Sequence, residues 1–203
     1  MNTVDNQLPF MYRASNISKI QKVYATRDRN FISKLNGTDL SGADLIYIRL
    51  NKAQSMDGCL AESDLSGSFL SDTNLEGFDL SNVNLSLAML RGVNLKGANL
   101  CLGILRGTDL RNANLQGAIL SGSILRGADL REANLSHAYL LGSNLSHAVL
   151  SNANLNDAHL LGANLDHTDL SSATVNNARF GWNTGISDKM KFELELRGAV
   201  FED

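Results

Sequence analysis

Four histidines (His137, His147, His159 and His167) and two cysteines (Cys59 and Cys101) are the side chains here with metal-binding or nucleophilic chemistry to offer. A structural zinc site needs three or four convergent ligands at short, characteristic spacings, and neither set supplies them. Two cysteines are also too few for a disulfide framework in a chain of 203 residues. No G-x-S-x-G elbow, P-loop, dinucleotide fingerprint or H-E-x-x-H motif is present. The Asn-Leu-Ser triplets at Asn84, Asn134 and Asn144 follow from a repeat and say nothing about glycosylation. No catalytic, cofactor-binding or metal-ligating residue is expected, and no cofactor.

The composition points to architecture instead. The formal net charge is −3, so charge gives no general drive toward nucleic acid or an anionic membrane. No apolar run approaches the ~20 residues of a membrane helix, and residues 1–14 show no secretory pattern. A cytoplasmic location is the expectation. The departures from average are 34 leucines and 22 asparagines, and they fall in order. From position 40 to 170 every multiple of five is leucine except Ser55, and Val175 and Phe180 continue the series. Two residues before each central position stands a small residue, with Ile48, Phe78, Val83 and Val93 as exceptions. Between them sits a polar residue, most often Asn or Asp, as in AlaAspLeuArgGlu from Ala128 to Glu132.

A period of five fits neither regular element. In a helix, successive leucines would sit about 140° apart and surround the axis. In a flat strand they would alternate between the two faces. The chain must turn after each unit, so that every leucine reaches one axis beside its small partner. Frequent glycine two residues after the leucine (Gly42, Gly67, Gly107, Gly127) suits a corner of unusual φ. A single proline fits stacked coils that need their N–H donors.

The run GADLREANLSHAYL and its neighbours resemble the pentapeptide-repeat proteins. That resemblance implies an all-β solenoid, a right-handed quadrilateral parallel β-helix with four pentapeptides to a coil and about seven coils in all. It divides the chain into residues 1–30, a tail with a capping helix; 31–180, the β-helix; and 181–203, a C-terminal cap of short helix and edge strand. Helical spacing of Ile17, Ile20 and Tyr24 after Asn16 supports the first cap. At the other end, Lys189–Leu196 alternates charged and apolar as a strand would, while Ser187 and Gly198 bracket it as a short helix; the helix is the expectation, followed by an edge strand at Ala199–Phe201. Stacked coils need such caps, or a dimer contact, to cover their open ends, so the chain is expected as a monomer or end-to-end dimer. The segment from Gly181 onward also resembles the tails of pentapeptide-repeat proteins of photosynthetic bacteria.

On a four-sided coil, residues 20 apart are vertical neighbours. Asn74, Asn94, Asn114, Asn134 and Asn154 then form one column, with Gln54 below, suited to a stabilising amide ladder. Arg91, Arg111 and Arg131 form another, close to Asp109 and Asp129; Arg106 and Arg126 form a third. Two readings stand for these arginines, a solvated salt-bridged ladder and a contact surface. Outward positions are apolar at Ile104, Ile119, Ile124 and Tyr139, with Leu102, Leu141 and Leu161 nearby. A partner site and plain β-propensity both account for that. Phe69, Leu87 and Met89 make a smaller group, and Ser55 with Met56 a local irregularity.

The candidate binding residues are therefore Ile104, Arg106, Arg111, Ile119, Ile124, Arg126, Arg131, Tyr139, Leu141 and Leu161. They would serve a non-enzymatic scaffold for a protein partner that the sequence does not name. The family resemblance also implies an alternative, mimicry of duplex DNA for binding a type II topoisomerase. Mimicry needs dense acidic columns, which the arginine stripe interrupts.

Overall fold

The computed structural model describes residues 40–202 apart from 43, 47 and 52–57. The expected helix within residues 1–30, the base of the amide ladder at position 54 and the irregularity at 55–56 lie outside the described residues.

Backbone hydrogen bonds set the 20-residue coil. Each central leucine from Leu60 to Leu165 donates its N–H nineteen residues forward, as Leu95 does to the Asn114 carbonyl at 2.7 Å. The residue before it donates to the coil below, as Asn94 does to the Thr73 carbonyl at 2.9 Å. Successive coils are thus joined by parallel bridges between residues twenty apart, from Asp44↔Asp64 to Asn164↔Thr184. Each rung is a single bridge, because the chain turns before a longer strand can form. At each turn the N–H three residues after the leucine returns to the leucine carbonyl, as from Ala113 to Leu110 at 3.0 Å.

The residue two after the leucine has positive φ at every corner from 62 to 177. Ten of these corners are glycine and fourteen are not, so the fold imposes the left-handed conformation whether or not glycine is there. Most of the others are Asn, Asp or His, which tolerate it better than other non-glycine residues. Leu87 and Leu102 are the costly choices.

The interior is a stack of leucines, with Leu80 through Leu165 almost wholly buried. The small residue two places earlier shares it, and where it is polar its hydroxyl finds a carbonyl, except at Ser68, whose buried hydroxyl has no partner among the described residues. Thr108 donates to Leu105 at 2.7 Å, Ser123 to Leu120 at 2.7 Å and Ser143 to Leu140 at 2.8 Å, as buried hydroxyls require. The large exception Phe78 is accommodated by Gly58 one coil below, whose absent Cβ leaves room for the ring.

The winding continues past Phe180, where the leucine spacing ends. Gly162 donates to the Gly181 carbonyl at 2.8 Å and Leu165 to Thr184 at 2.9 Å. Asn183 shapes this last turn: its amide nitrogen donates to Leu160 and Ala163 carbonyls, and its oxygen accepts from Gly181 N–H. Strand β1 (Arg179–Phe180) then pairs in parallel with β2 (Val200–Phe201), and the Phe180 and Phe201 rings stack at 5.1 Å. Between them lies helix α1 (Asp188–Leu196). The Ser187 side chain accepts from Met190 N–H at its start, Lys189 pairs with Glu193 at 3.8 Å, and Gly198 follows with φ 89°. Leu194 is buried in the core cluster, and Arg197 donates to the Leu170 and Ala173 carbonyls at 2.9 and 3.0 Å. These two carbonyls belong to the coil that the helix overlies.

Candidate protein-interaction faces

The four turns of a coil give four faces, named here by the central leucines Leu100, Leu105, Leu110 and Leu115. The Leu115 face carries the amide ladder. Asn94, Asn114, Asn134 and Asn154 each donate Nδ2 to the Oδ1 of the asparagine one coil below, at 2.8 to 3.4 Å. Each Oδ1 also accepts from the backbone N–H two residues on, as Asn134 does from Ser136 at 3.1 Å. This face is satisfied within the protein.

The Leu110 face is self-paired at Arg111 and Arg131, whereas Arg91 below them is exposed and its side chain makes no hydrogen bond or ion pair with a described residue. Arg111 grips Asp109 through two bonds of 2.7 and 2.5 Å, and Arg131 grips Asp129 at 2.8 and 2.5 Å. A 3.6 Å contact from Arg111 to Asp129 joins the two pairs. Hydrogen bonding from Arg111 holds the Asp109 carboxyl below its ordinary range, and bonding from Arg131 does the same for Asp129. Reciprocally, both guanidiniums are driven further from deprotonation by these carboxylates. Arg111 and Arg131 are thus engaged internally, which favours the ladder reading for that column.

The Leu105 face is different. Arg106 and Arg126 are exposed, and neither side chain makes a hydrogen bond or ion pair with a described residue. Ile104 and Ile124 bridge each other beside them, the first exposed and the second half-buried. The distinction from Arg111 is local: the position two residues earlier on the same face is Asp109 there and Ile104 or Ile124 here. On the adjoining Leu100 face, Ile119 bridges Tyr139, both exposed. The Tyr139 ring stacks on His159 at 5.0 Å. Leu141 is exposed and Leu161 half-buried. Of the apolar residues expected at outward positions, Ile124 and Leu161 are half-buried rather than exposed.

The structure also brings Trp182 to this side of the protein, above Gly162, a residue that the leucine spacing gave no means of placing. Its signal in the sequence was a lone tryptophan twenty residues beyond a corner glycine. Elsewhere, His147 and His167 stack at 5.0 Å, and Arg49 lies 4.4 Å over the Phe69 ring. Cys59 and Cys101 are free thiols. Among the described residues no group of three or more His, Cys, Asp or Glu is placed to hold a metal ion, and no helix is long and apolar enough to cross a membrane.

A 20-residue coil built from four five-residue turns, with leucine inward and polar ladders outward, defines a β-helical repeat protein. The chain belongs to the pentapeptide-repeat family: the pentapeptide-repeats model matches residues 70–107, 108–146 and 143–181, with eight copies. The family fold is the right-handed β-helix. Among solved structures, HetL, a pentapeptide repeat protein involved in heterocyst differentiation regulation from the cyanobacterium Nostoc sp. strain PCC 7120, is 29% identical. The match covers 80% of this chain and 82% of that chain, with a TM-score of 0.42. QnrB1, a plasmid-mediated fluoroquinolone resistance protein, is 16% identical over 83% of this chain and 89% of that chain, with a TM-score of 0.45. Rfr23, a pentapeptide repeat protein from the cyanobacterium Cyanothece 51142, is 26% identical over 69% and 89%, with a TM-score of 0.31. Curated proteins yield no match.

Proposed function

We propose that this protein is a non-enzymatic interaction scaffold, a rod of about seven coils closed at its C-terminal end by residues 181–203, which offers its Leu100 and Leu105 faces to a protein partner. The observation that carries this reading is the contrast between the arginine columns. Arg111 and Arg131 are neutralised by their own aspartates, whereas Arg106 and Arg126 stand unneutralised one coil apart beside Ile104 and Ile124. Stacked like charges without counter-charges oppose folding slightly, and an apolar surface beside them is what a partner with acidic and apolar groups would cover. The topoisomerase-mimic alternative gains nothing from the geometry. It requires unneutralised acidic columns, and on the Leu110 face Asp109 and Asp129 are bound to arginine while Val149 separates them from Asp169.

The test is capture of partners from an extract of the native host on the tagged full chain, compared with Arg106→Glu/Arg126→Glu and with Arg111→Gln/Arg131→Gln. Specific recovery of a protein, lost with the first double variant and kept with the second, is the expected result. Equal recovery by both variants, each with an unchanged circular dichroism spectrum, would remove the Leu105 face from consideration.

A further inference from the structure

One of the four corners stands apart. Up the edge between the Leu100 and Leu105 faces, above Glu62 and Asn82, the corner residues are Leu102, Gly122, Gly142, Gly162 and Trp182, all at positive φ and twenty residues apart. Around Gly142 no atom stands within 4 Å of where a Cβ would be, and Gly162 meets only the Gly142 backbone there. At the lower end the Leu102 side chain folds over Gly122, reaching within 2.8 Å of its missing Cβ. The edge is thus stripped of side chains over its middle and bounded by a leucine 57% exposed and a tryptophan 71% exposed. A left-handed backbone is costly for a residue with a Cβ, and their exposure gives these two apolar side chains little burial in return.

The same molecule supplies a comparison. The edge between the Leu115 and Leu100 faces has its own three glycines, Gly77, Gly97 and Gly117. The residues immediately before them are Glu76, Lys96 and Gln116, all polar. Before Gly142 and Gly162 stand Leu141 and Leu161 instead. Corner conformation alone explains the first edge; it does not explain why bare backbone and apolar flanks coincide on the second.

We infer that this edge seats an amphipathic helix of the partner, its apolar stripe laid over Leu102 where it covers Gly122, along the bare Gly142 and Gly162 and up to Trp182, with acidic residues reaching Arg106 and Arg126. The inference rests on the interaction reading above and names the partner's binding element. Four coil spacings separate Leu102 from Trp182, about 19 Å at ~4.8 Å each. A helix of roughly 13 residues spans that length, and its apolar stripe recurs every ~5.4 Å, nearly in step with the coils. A strand presents same-face side chains every ~6.7 Å and falls out of register within two coils. Bare glycine lets a helix approach closely, and an exposed tryptophan at one end is the kind of anchor on which interface energy concentrates. The free arginines lie level with the Leu102 end, so the acidic residues belong to the end of the helix seated there.

The probe is a fluorescent synthetic peptide about 14 residues long, with leucine at i, i+3, i+4 and i+7 and glutamate along one flank, titrated with the full chain by anisotropy. Two comparators are a version with lysine for glutamate and an alternating valine–glutamate peptide. Gly142→Asn fills the bare edge with a residue that Asn112 and Asn152 show the corner accepts. Gly117→Asn makes the same change on the polar edge. Saturable binding of the leucine–glutamate peptide is expected, weakened about tenfold or more by Gly142→Asn, by Trp182→Ala and by the lysine flank. Gly117→Asn should leave it unchanged. The inference falls if that peptide does not saturate, if a well-folded Gly142→Asn binds it equally, or if the alternating peptide binds as tightly. Failure here, with partner capture still abolished by Arg106→Glu/Arg126→Glu, would leave the scaffold standing and remove only the helix.

Discussion

Replacing Asn114 by aspartate tests whether the amide ladder has a direction. The Asn114 Nδ2 group donates downward to Asn94 Oδ1 at 3.1 Å, while its Oδ1 accepts from Asn134 at 3.4 Å and from Gln116 N–H at 3.3 Å. Aspartate keeps both accepted bonds and replaces the donor with a second acceptor facing Asn94 Oδ1. One hydrogen bond is lost, about 1 kcal/mol, and two acceptors are set in contact. The Asn94 oxygen retains the Lys96 N–H at 3.2 Å, so it is not orphaned. A destabilisation of about 1–2 kcal/mol at neutral pH follows. Protonation restores a donor, so the folded state raises this carboxyl's pKa above the unfolded value of roughly 3.9. For a raised pKa the deficit is small below the unfolded value and develops as pH rises through it and beyond the folded value. Urea unfolding at about pH 3.5 and 7 measures both. Asn112→Asp, two residues away at an exposed corner, should stay within about 0.5 kcal/mol of wild type. An Asn114→Asp deficit that is absent at neutral pH, or equal at both pH values, would refute a directional ladder.

The core, the ion network and the C-terminal coil make further claims. Leu115 is wholly buried and should cost about 3–5 kcal/mol as alanine; Leu87, exposed and left-handed, should cost nothing measurable in the same urea titration. Asp109 and Asp129 have depressed pKa values, so their contribution is present above the unfolded value near 4 and is lost as pH falls through the folded values. Arg111→Gln/Arg131→Gln should therefore flatten the loss of stability on acidification, and an unchanged acid profile would show that these pairs contribute nothing to folding. Arg197→Ala strips the donor from the Leu170 and Ala173 carbonyls and is expected to cost about 1–3 kcal/mol, with amide exchange accelerating first in the terminal coil.

Much of the fold is legible along the chain because each five-residue unit repeats the same local problem. A leucine that must be buried, a small neighbour beside it and a turn after it specify the core at Leu95, Leu115 and Leu135 without reference to distant residues. The arginine pairing is also local in retrospect. Asp109 and Arg111 straddle one leucine on one face, and Ile104 and Arg106 straddle another, so the first pair closes and the second cannot. The last turn was not legible. Gly162 and Leu165 hold residues 181 and 184 through backbone bonds alone, with Asn183 supplying the turn, and backbone bonding leaves no leucine in the record.

The period of the sequence by itself determined the coil, the buried axis and the amide column, because burial and turn formation act within five residues and stacking within twenty. The tertiary structure alone decided which outward residues remain free and which edge sets bare glycines between apolar side chains. Leu102 and Trp182 are eighty residues apart, and they bound one strip of surface only because four coils of backbone hydrogen bonds place them in a single column.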